Sequence, residues 1–584
     1  MKRGAVAFLV GGAAGLCVAT VQGSPWVTRT ISRATSAIRS PDAPPKRPPP
    51  AVAQVASISV PIVAVSITPV TVSPPPGASS SAAPEAPETP EEEAPKDEKP
   101  APPPGPELLA LYKEVWVYAQ PSFRSRKIGY LRAGSVVSRD AKAAGFGGCE
   151  HGFYRVAPQG YVCAGAAASI HPEGPLATLA KRKPDRKQGL PYPYVMSKFP
   201  TPPLYLKLPT AHEQRSVEGD LGKHVAATLK KGEAIPAALE ATGIPPELAD
   251  GKVVPSLTPN HHGAGALYAG RAFPKSGFAL LATYEHEGRL FGLNTDLQLL
   301  PLDRTRVVTP SRFHGEELGD LGLPVAFVRT KGARYYQRDP QTGAMKDDGP
   351  VFYREAVQLT GKSERIDKAT YLEARDGRYI VQSESLVRID PPKELPQFAA
   401  EGKKWIDVSI LKQSLVAWEG GKPVYATLVS TGADGLGDPK ETHSTVRGAF
   451  LIHTKHVSVT MDNDQEDDRF DLRDVPYVQY FHEGYALHAA YWHDDFGRPK
   501  SHGCVNLHPT DAAWLFGWTT PEVPEGFHGA MTLKNGTVVY IHPLVGWALN
   551  APSAVSTRPR RTRAWDASYP LPTRRRRSAS CPSS

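Results

Sequence analysis

Between Val27 and Leu111 the chain has no aromatic residue, and 20 of its 59 prolines fall between Pro41 and Pro106. Without aromatic bulk, and with so many residues that lack an amide donor, no packed core forms there. Residues 24–106 therefore read as a disordered, proline-rich linker of polyproline II character, ending in an acidic, lysine-bearing stretch from Glu85 to Lys99. A long unbroken apolar run is missing from it too. The uncharged piece from Ala51 to Ala83 is cut by prolines and rich in serine, which excludes a membrane span. Cysteine is scarce, at five residues in 584. Cys504 has no second cysteine near it, which excludes a compact zinc pattern and leaves its thiol without a disulfide partner.

What is present fits a secreted, modular protein. Met1-Lys2-Arg3 precedes an apolar run from Ala5 to Thr20, and Val21-Gln22-Gly23 is a small-residue site for cleavage. Residues 1–23 are thus expected to be a signal peptide or an uncleaved N-terminal anchor. Ala14-Gly15-Leu16 before Cys17 makes a poor lipoprotein box, which favours a plain signal. Export to the periplasm or cell envelope follows, and that compartment permits a Cys149–Cys163 disulfide, left open by the sequence. Cys581 belongs to the tail.

The remaining chain is patterned for β structure. Val115-Trp116-Val117-Tyr118, Lys127-Ile128-Gly129-Tyr130-Leu131 and Gly152-Phe153-Tyr154-Arg155-Val156 read as short strands between glycine-bearing turns in residues 107–170. A glycine-led strand followed by a second apolar one recurs. Gly152-Phe153-Tyr154 is followed by Gly160-Tyr161-Val162, Gly288-Arg289-Leu290-Phe291 by Leu297-Gln298-Leu299, and Gly377-Arg378-Tyr379-Ile380 by Ser385-Leu386-Val387. Residues 171–400 are accordingly expected to hold two further β modules, with a helical insertion around Asp220 to Leu248. In residues 402–545, Trp405 to Val408 and Ser414 to Trp418 alternate, Gly420-Gly421 supplies a hairpin turn, and Pro423 to Ser430 returns. Asn535-Gly536 reads as another hairpin turn, and Asp511 to Phe516 as a short helix. The fold class expected is mainly β and multi-domain.

Cys504 stands in the run Ser501-His502-Gly503-Cys504-Val505-Asn506, 16 residues after His488. A cysteine attacks as its thiolate, so it needs a nearby base or cation to lower a free pKa of about 8.5. Two histidines are within reach in sequence. Gly503 removes a side chain just before the sulfur, which lets a substrate carbonyl approach and backbone N–H groups point at a developing oxyanion. Acyl transfer requires these parts. His482, His488, His493, His502 and His508 match no zinc spacing, so no metal and no cofactor is expected. Asp494 and Asp495 read as solvated turn residues.

The stretch from Tyr485 to Leu507, YALHAAYWHDDFGRPKSHGCVNL, resembles the signature of the L,D-transpeptidase family with the YkuD-type catalytic domain, in which a histidine precedes a Ser/Thr-His-Gly-Cys block. Papain-like peptidases place the cysteine first. Gly432, Gly448-Ala449-Phe450 and Glu483-Gly484 add to the likeness, which covers residues 402–545. The resemblance implies a β-sandwich with Cys504 as nucleophile and His488 as general base, its tautomer held by the Ala489 carbonyl. Ser501, His502 and Gly503 take supporting roles, and Asn506, Gly484 and Tyr477 contact substrate. Asn506 stands where many members carry arginine. Some members use a flap tyrosine, and the acidic segment from Asp462 to Asp474, near Phe470 and Tyr477, is where such a flap would lie.

The function so implied is a peptidoglycan L,D-transpeptidase that forms a Cys thioester with the stem tetrapeptide, releases D-Ala and passes the acyl group to an amine. Water as acceptor would make it an L,D-carboxypeptidase or endopeptidase, and a degenerate site would leave a wall-binding scaffold. Peptidoglycan stem peptides are the expected partner, nucleic acid is not, and a membrane is one only if the N-terminal segment stays uncleaved. Residues 107–170 resemble a bacterial SH3-like domain, and the upstream modules either bind wall peptide or glycan or only space the enzyme. Arg558, Arg560, Arg561, Arg563 and Arg574 to Arg577 make residues 546–584 a disordered basic tail, which either contacts anionic envelope polymer or has no function.

Overall fold

In a computed structural model, residues 105–543 are described apart from 232–238, 255, 259 and 464–469, as are the side chains except those of 229–231. The expected signal or anchor with Cys17, the linker up to residue 104, and the basic tail with Cys581 lie outside the described residues. The chain is mainly β, as the alternation predicts. No described helix is long and apolar enough to cross a membrane.

Lys404–Ser409 and Ser414–Glu419 pair antiparallel along their whole length, from Lys404↔Glu419 to Ser409↔Ser414. Glu419 then pairs with Lys422 of Lys422–Leu428, so Gly420 and Gly421 form the expected two-residue turn. Gly420 adopts φ 56 there, a conformation that a Cβ would penalise. Val538–His542 and Gly448–Leu451 complete this first layer on the other side, the former running parallel to Lys404–Ser409. A second layer contains Thr454–Asn463, Phe470–His482, Tyr485–Ala489 and Val505–Leu507. Ile406, Val408 and Leu415 of the first layer share one core with Tyr477, Leu487 and Val505 of the second and with Leu515 and Phe516 of the helix Pro509–Trp518. Removing that apolar surface from water, at roughly 25 cal/mol per Å², is the main force joining the layers.

Asn535-Gly536 is not a hairpin turn. Gly529–Met531 pairs with Thr454–Asn463, whereas Val538–His542 belongs to the other layer. A Cβ at Gly536 would lie 1.8 Å from the Ile452 carbonyl oxygen, so the glycine serves a close backbone approach.

Upstream, the expected strands form as Val115–Tyr118, Lys127–Leu131 and Phe153–Arg155. Cys149 and Cys163 are bridged, with their Cα atoms 5.9 Å apart. The recurring strand pairs differ in outcome. Phe153–Arg155 pairs with Tyr161–Cys163, and Arg289–Asn294 with Leu299–Pro301. Tyr379–Val381 and Leu386–Ile389 instead pair with other strands of a seven-stranded sheet. The helical insertion begins before Asp220, with Ala211–Val217 capped by Thr210 and Glu213, and continues as Leu221–Lys231.

Strand pairing also crosses between these segments and the 402–545 region. Lys127–Leu131 pairs with Gly529–Met531, Gly277 lies opposite Leu472, and Glu316–Glu317 pairs with Lys422–Leu428. A Cβ at Gly129 would lie 2.4 Å from the Gly529 oxygen, and one at Gly529 2.2 Å from the Tyr130 ring, so the first junction requires both glycines. At the second junction sits a buried ionic knot. Asp474 accepts from Arg132, Thr295 and Ser458, while Asp296 pairs with Lys113 at 2.9 Å and Arg473 at 3.2 Å.

Candidate active site

Register in the second layer decides which side chains share a face. Tyr480 lies opposite Ala486, Leu487 opposite Val505, and His488 opposite Asn506. Side chains alternate along a strand, so Tyr480, Ala486, His488 and Asn506 point to one face and Tyr477, Leu487 and Val505 to the other. Cys504 immediately precedes Val505–Leu507 and packs with the first face, against the cluster holding Val478 and Ala486. Cys504 and His488 are therefore diagonal neighbours on adjacent strands. The carbonyl of Gly484, in the turn before Tyr485–Ala489, lies 3.7 Å from the Cys504 sulfur.

His488 is 2% exposed, and its Nδ1 is 3.1 Å from the Ala489 carbonyl oxygen. A carbonyl only accepts, so Nδ1 carries the proton and Nε2 the lone pair. The Trp492 ring stacks on the imidazole, 5.7 Å between centres and 28° apart. Burial pushes the imidazole down to about 4, against the opposing contact with Ala489. Cys504 keeps part of its surface open, but packing around the sulfur pushes the thiol up to about 11, against the Ala486 backbone N–H. The lowering expected from nearby histidines is thus absent, and the site holds a neutral thiol beside a neutral base. Alkylation of Cys504 by iodoacetamide should then climb steadily as pH rises toward about 11. A plateau already reached near neutral pH would show a preformed thiolate and refute this.

The nucleophile turn is braced by its own atoms. Ser501 Oγ donates to the Cys504 carbonyl and accepts from the Gly503 N–H at 3.1 Å, while Thr445 Oγ1 donates to the Gly503 carbonyl at 2.7 Å. The Gly503 amide is consequently engaged within the turn rather than offered to an oxyanion. Gly503 has φ 121, and a Cβ there would come within 2.8 Å of the Tyr485 ring, so the position requires glycine on both counts. The exposed His502 ring lies 4.8 Å from that of His443 and 5.2 Å from that of Phe470. Phe470 thereby ties the strands Thr454–Asn463 and Phe470–His482 to the nucleophile turn; residues 464–469, within the segment expected to form a flap, lie outside the described residues.

Asn506 is 2% exposed and bonded through Nδ2 to His493 Nε2 at 2.9 Å. Its Oδ1 is buried with no partner among the described residues, a state that costs about 1–3 kcal/mol. Tyr477 is not part of this surface. It is fully buried on the opposite face against Phe516, and its hydroxyl donates to the Gln188 carbonyl, so it has no access to a ligand at Cys504. Asp474, expected in a flap, is likewise buried. Asp494 and Asp495 are exposed but not merely solvated, since Asp494 pairs with Arg354 at 2.7 Å and Asp495 pairs with Lys500. Sequence reading missed Tyr480, Tyr485, Trp492 and His493 as neighbours of the site. Strand alternation from Ala486 would have found Tyr480, but nothing local marks the other three.

A partly open thiol on a glycine turn and a buried free-base histidine thus share one sheet face. Residues 403–541 match the family model of the L,D-transpeptidase catalytic domain, YkuD. No curated protein gives a significant match. Among solved structures, the L,D-transpeptidase (residues 123–326) from Xylanimonas cellulosilytica is similar at 23% identity, over 26% of this chain and 64% of that one, with a TM-score of 0.19. One from Stackebrandtia nassauensis is 25% identical over 26% of this chain and 58% of that one, with a TM-score of 0.18. The catalytic domain of the E. faecium L,D-transpeptidase is 21% identical over 24% and 98%, with a TM-score of 0.19. The chain thus spans less than two thirds of the first two structures, and the family match does not reach its upstream segments.

Proposed function

We propose that this protein is an exported peptidoglycan L,D-transpeptidase. The observation that carries the reading is the placement of Cys504 and His488 as diagonal neighbours on one face, inside the segment that matches the catalytic-domain family. His488 takes the thiol proton as sulfur attacks the carbonyl carbon between the third stem residue and D-Ala. Sulfur–carbon bond formation gives a tetrahedral oxyanion. Its collapse breaks the C–N bond, and the proton held by His488 leaves with the amine of D-Ala. An amine of a second stem then attacks the thioester, gives its proton to His488, and releases the thiol after reprotonation. With the imidazole pushed down and the thiol pushed up by burial there is no resting ion pair, so in this reading the proton moves to His488 only as the sulfur attacks. Gly484 is the substrate contact in this reading, whereas Asn506, with its Oδ1 buried, braces the loop through His493. Ser501, His502 and Gly503 hold the turn.

The test is mass spectrometry of the full chain incubated with disaccharide-tetrapeptide. Dimers joined between two third-position residues, with free D-Ala, are expected. Tripeptide and D-Ala without dimer would replace the reading by a hydrolase, and unchanged substrate would leave a wall-binding scaffold.

A further inference from the structure

Residues 490–500 connect the strand of His488 to the nucleophile turn. Two consecutive residues of this loop hold site groups, since Trp492 stacks on His488 and His493 bonds Asn506. The loop is gripped from outside the family-matched segment. Arg354 lies between the strands Met345–Pro350 and Ala356–Ile366 and is 6% exposed. Its Nη1 pairs with Asp494 Oδ1 at 2.7 Å, and its Nη2 donates to the Asp494 carbonyl. The guanidinium also sits 5.3 Å from the Phe313 ring centre and 5.8 Å from that of Phe496. Ser311 Oγ donates to the same Asp494 carboxylate at 2.8 Å. Arg354 itself adopts φ 68, a left-handed conformation unusual for a residue with a side chain, and its N–H donates to the Val328 carbonyl at 2.7 Å. A buried guanidinium bonded to both the side chain and the backbone of one residue fixes that residue's position, not only its charge.

We propose that Arg354 is a positioning residue for the Cys504–His488 site. The sheet formed by residues 325–389 holds Asp494 through it, and Asp494 holds the loop from which Trp492 and His493 fix His488 and Asn506. The site is therefore incomplete in residues 403–541 alone, because the piece that sets the loop comes from an upstream sheet. Displacements of about 1 Å in such a support cost up to about 100-fold in rate. The kinetic part of this inference rests on the proposed acyl transfer, whereas the thiol chemistry does not.

The experiment compares the full-length protein with Arg354→Met, Arg354→Lys and Asp494→Asn. Two quantities are read, the rate constant for Cys504 alkylation by iodoacetamide and the kcat and KM for acyl transfer from disaccharide-tetrapeptide. Arg354→Met is expected to lower both the alkylation rate and kcat by about tenfold or more, with KM changed less than about threefold. Arg354→Lys keeps the charge and restores part of the loss. Asp494→Asn keeps the backbone bond and loses about threefold. Unchanged alkylation and kcat in folded Arg354→Met, or a rise in KM alone, would overturn the proposal. Should Arg354→Met fail to fold, Asp494→Asn decides, since that carboxylate is half exposed and wild-type rates there would equally overturn it. If the wild type transfers no acyl group but alkylation still falls in the variants, the functional reading fails and the positioning role stands.

Discussion

Cys504→Ala is expected to abolish conversion of disaccharide-tetrapeptide, with product formation reduced by about 10³-fold or more, while the melting temperature stays near that of the wild type. Cys504 is the one free cysteine among the described residues, so no second thiol among them stands by to replace it. Its side chain is partly open and the smaller alanine removes only the sulfur, which keeps the structural cost low. Serine at this position should be nearly as inactive. A hydroxyl holds its proton far more tightly than a thiol, and the depressed basicity of His488 gives little help in removing it. Product analysis by mass spectrometry beside thermal unfolding separates the two effects. Turnover retained in a folded Cys504→Ala protein would remove the thioester from the mechanism.

The second large effect is on stability. Arg132→Met should lower unfolding free energy by about 3–5 kcal/mol, because it leaves the Asp474 carboxylate buried without its guanidinium. Burial works against the charge on Asp474, but Arg132, Lys113 and the Thr295 hydroxyl hold its carboxyl below the ordinary range. A depressed carboxyl contributes stability above its unfolded pKa of about 4 and loses it as pH falls through the folded value. The difference between wild type and Arg132→Met should therefore be largest near neutral pH and shrink on acidification, as urea titrations at two pH values would show. Arg132 belongs to the first β segment, Thr295 to the second and Asp474 to the strand Phe470–His482, so the loss is expected in one cooperative transition. A change under about 1 kcal/mol, or a separate early melting of the N-terminal segment, would show that the knot joins nothing.

Local pattern made several elements legible. Alternation marked Lys404–Ser409 and Ser414–Glu419, two glycines marked the turn into Lys422–Leu428, and a short helix was expected over Asp511 to Phe516, within the observed Pro509–Trp518. It failed where local chemistry suits two structures. Asn535-Gly536 carries the residues of a hairpin turn, yet its glycine is spent on the approach to Ile452. Tyr477 was expected near the thiol from its position, but one residue of strand alternation separates a surface facing Cys504 from one facing the helix.

The sequence alone determined the chemistry on offer, through the Ser501 to Asn506 run and the upstream His488, and it determined the class of fold, because alternating β-branched and aromatic residues can bury one face only as sheet. The tertiary structure decided the rest. Strand register chose the diagonal pairing of Cys504 with His488, and packing removed water from both to set their protonation. Long-range contacts supplied Arg354 and Arg132 from segments 140 and 342 residues away from their partners, separations that no local pattern encodes.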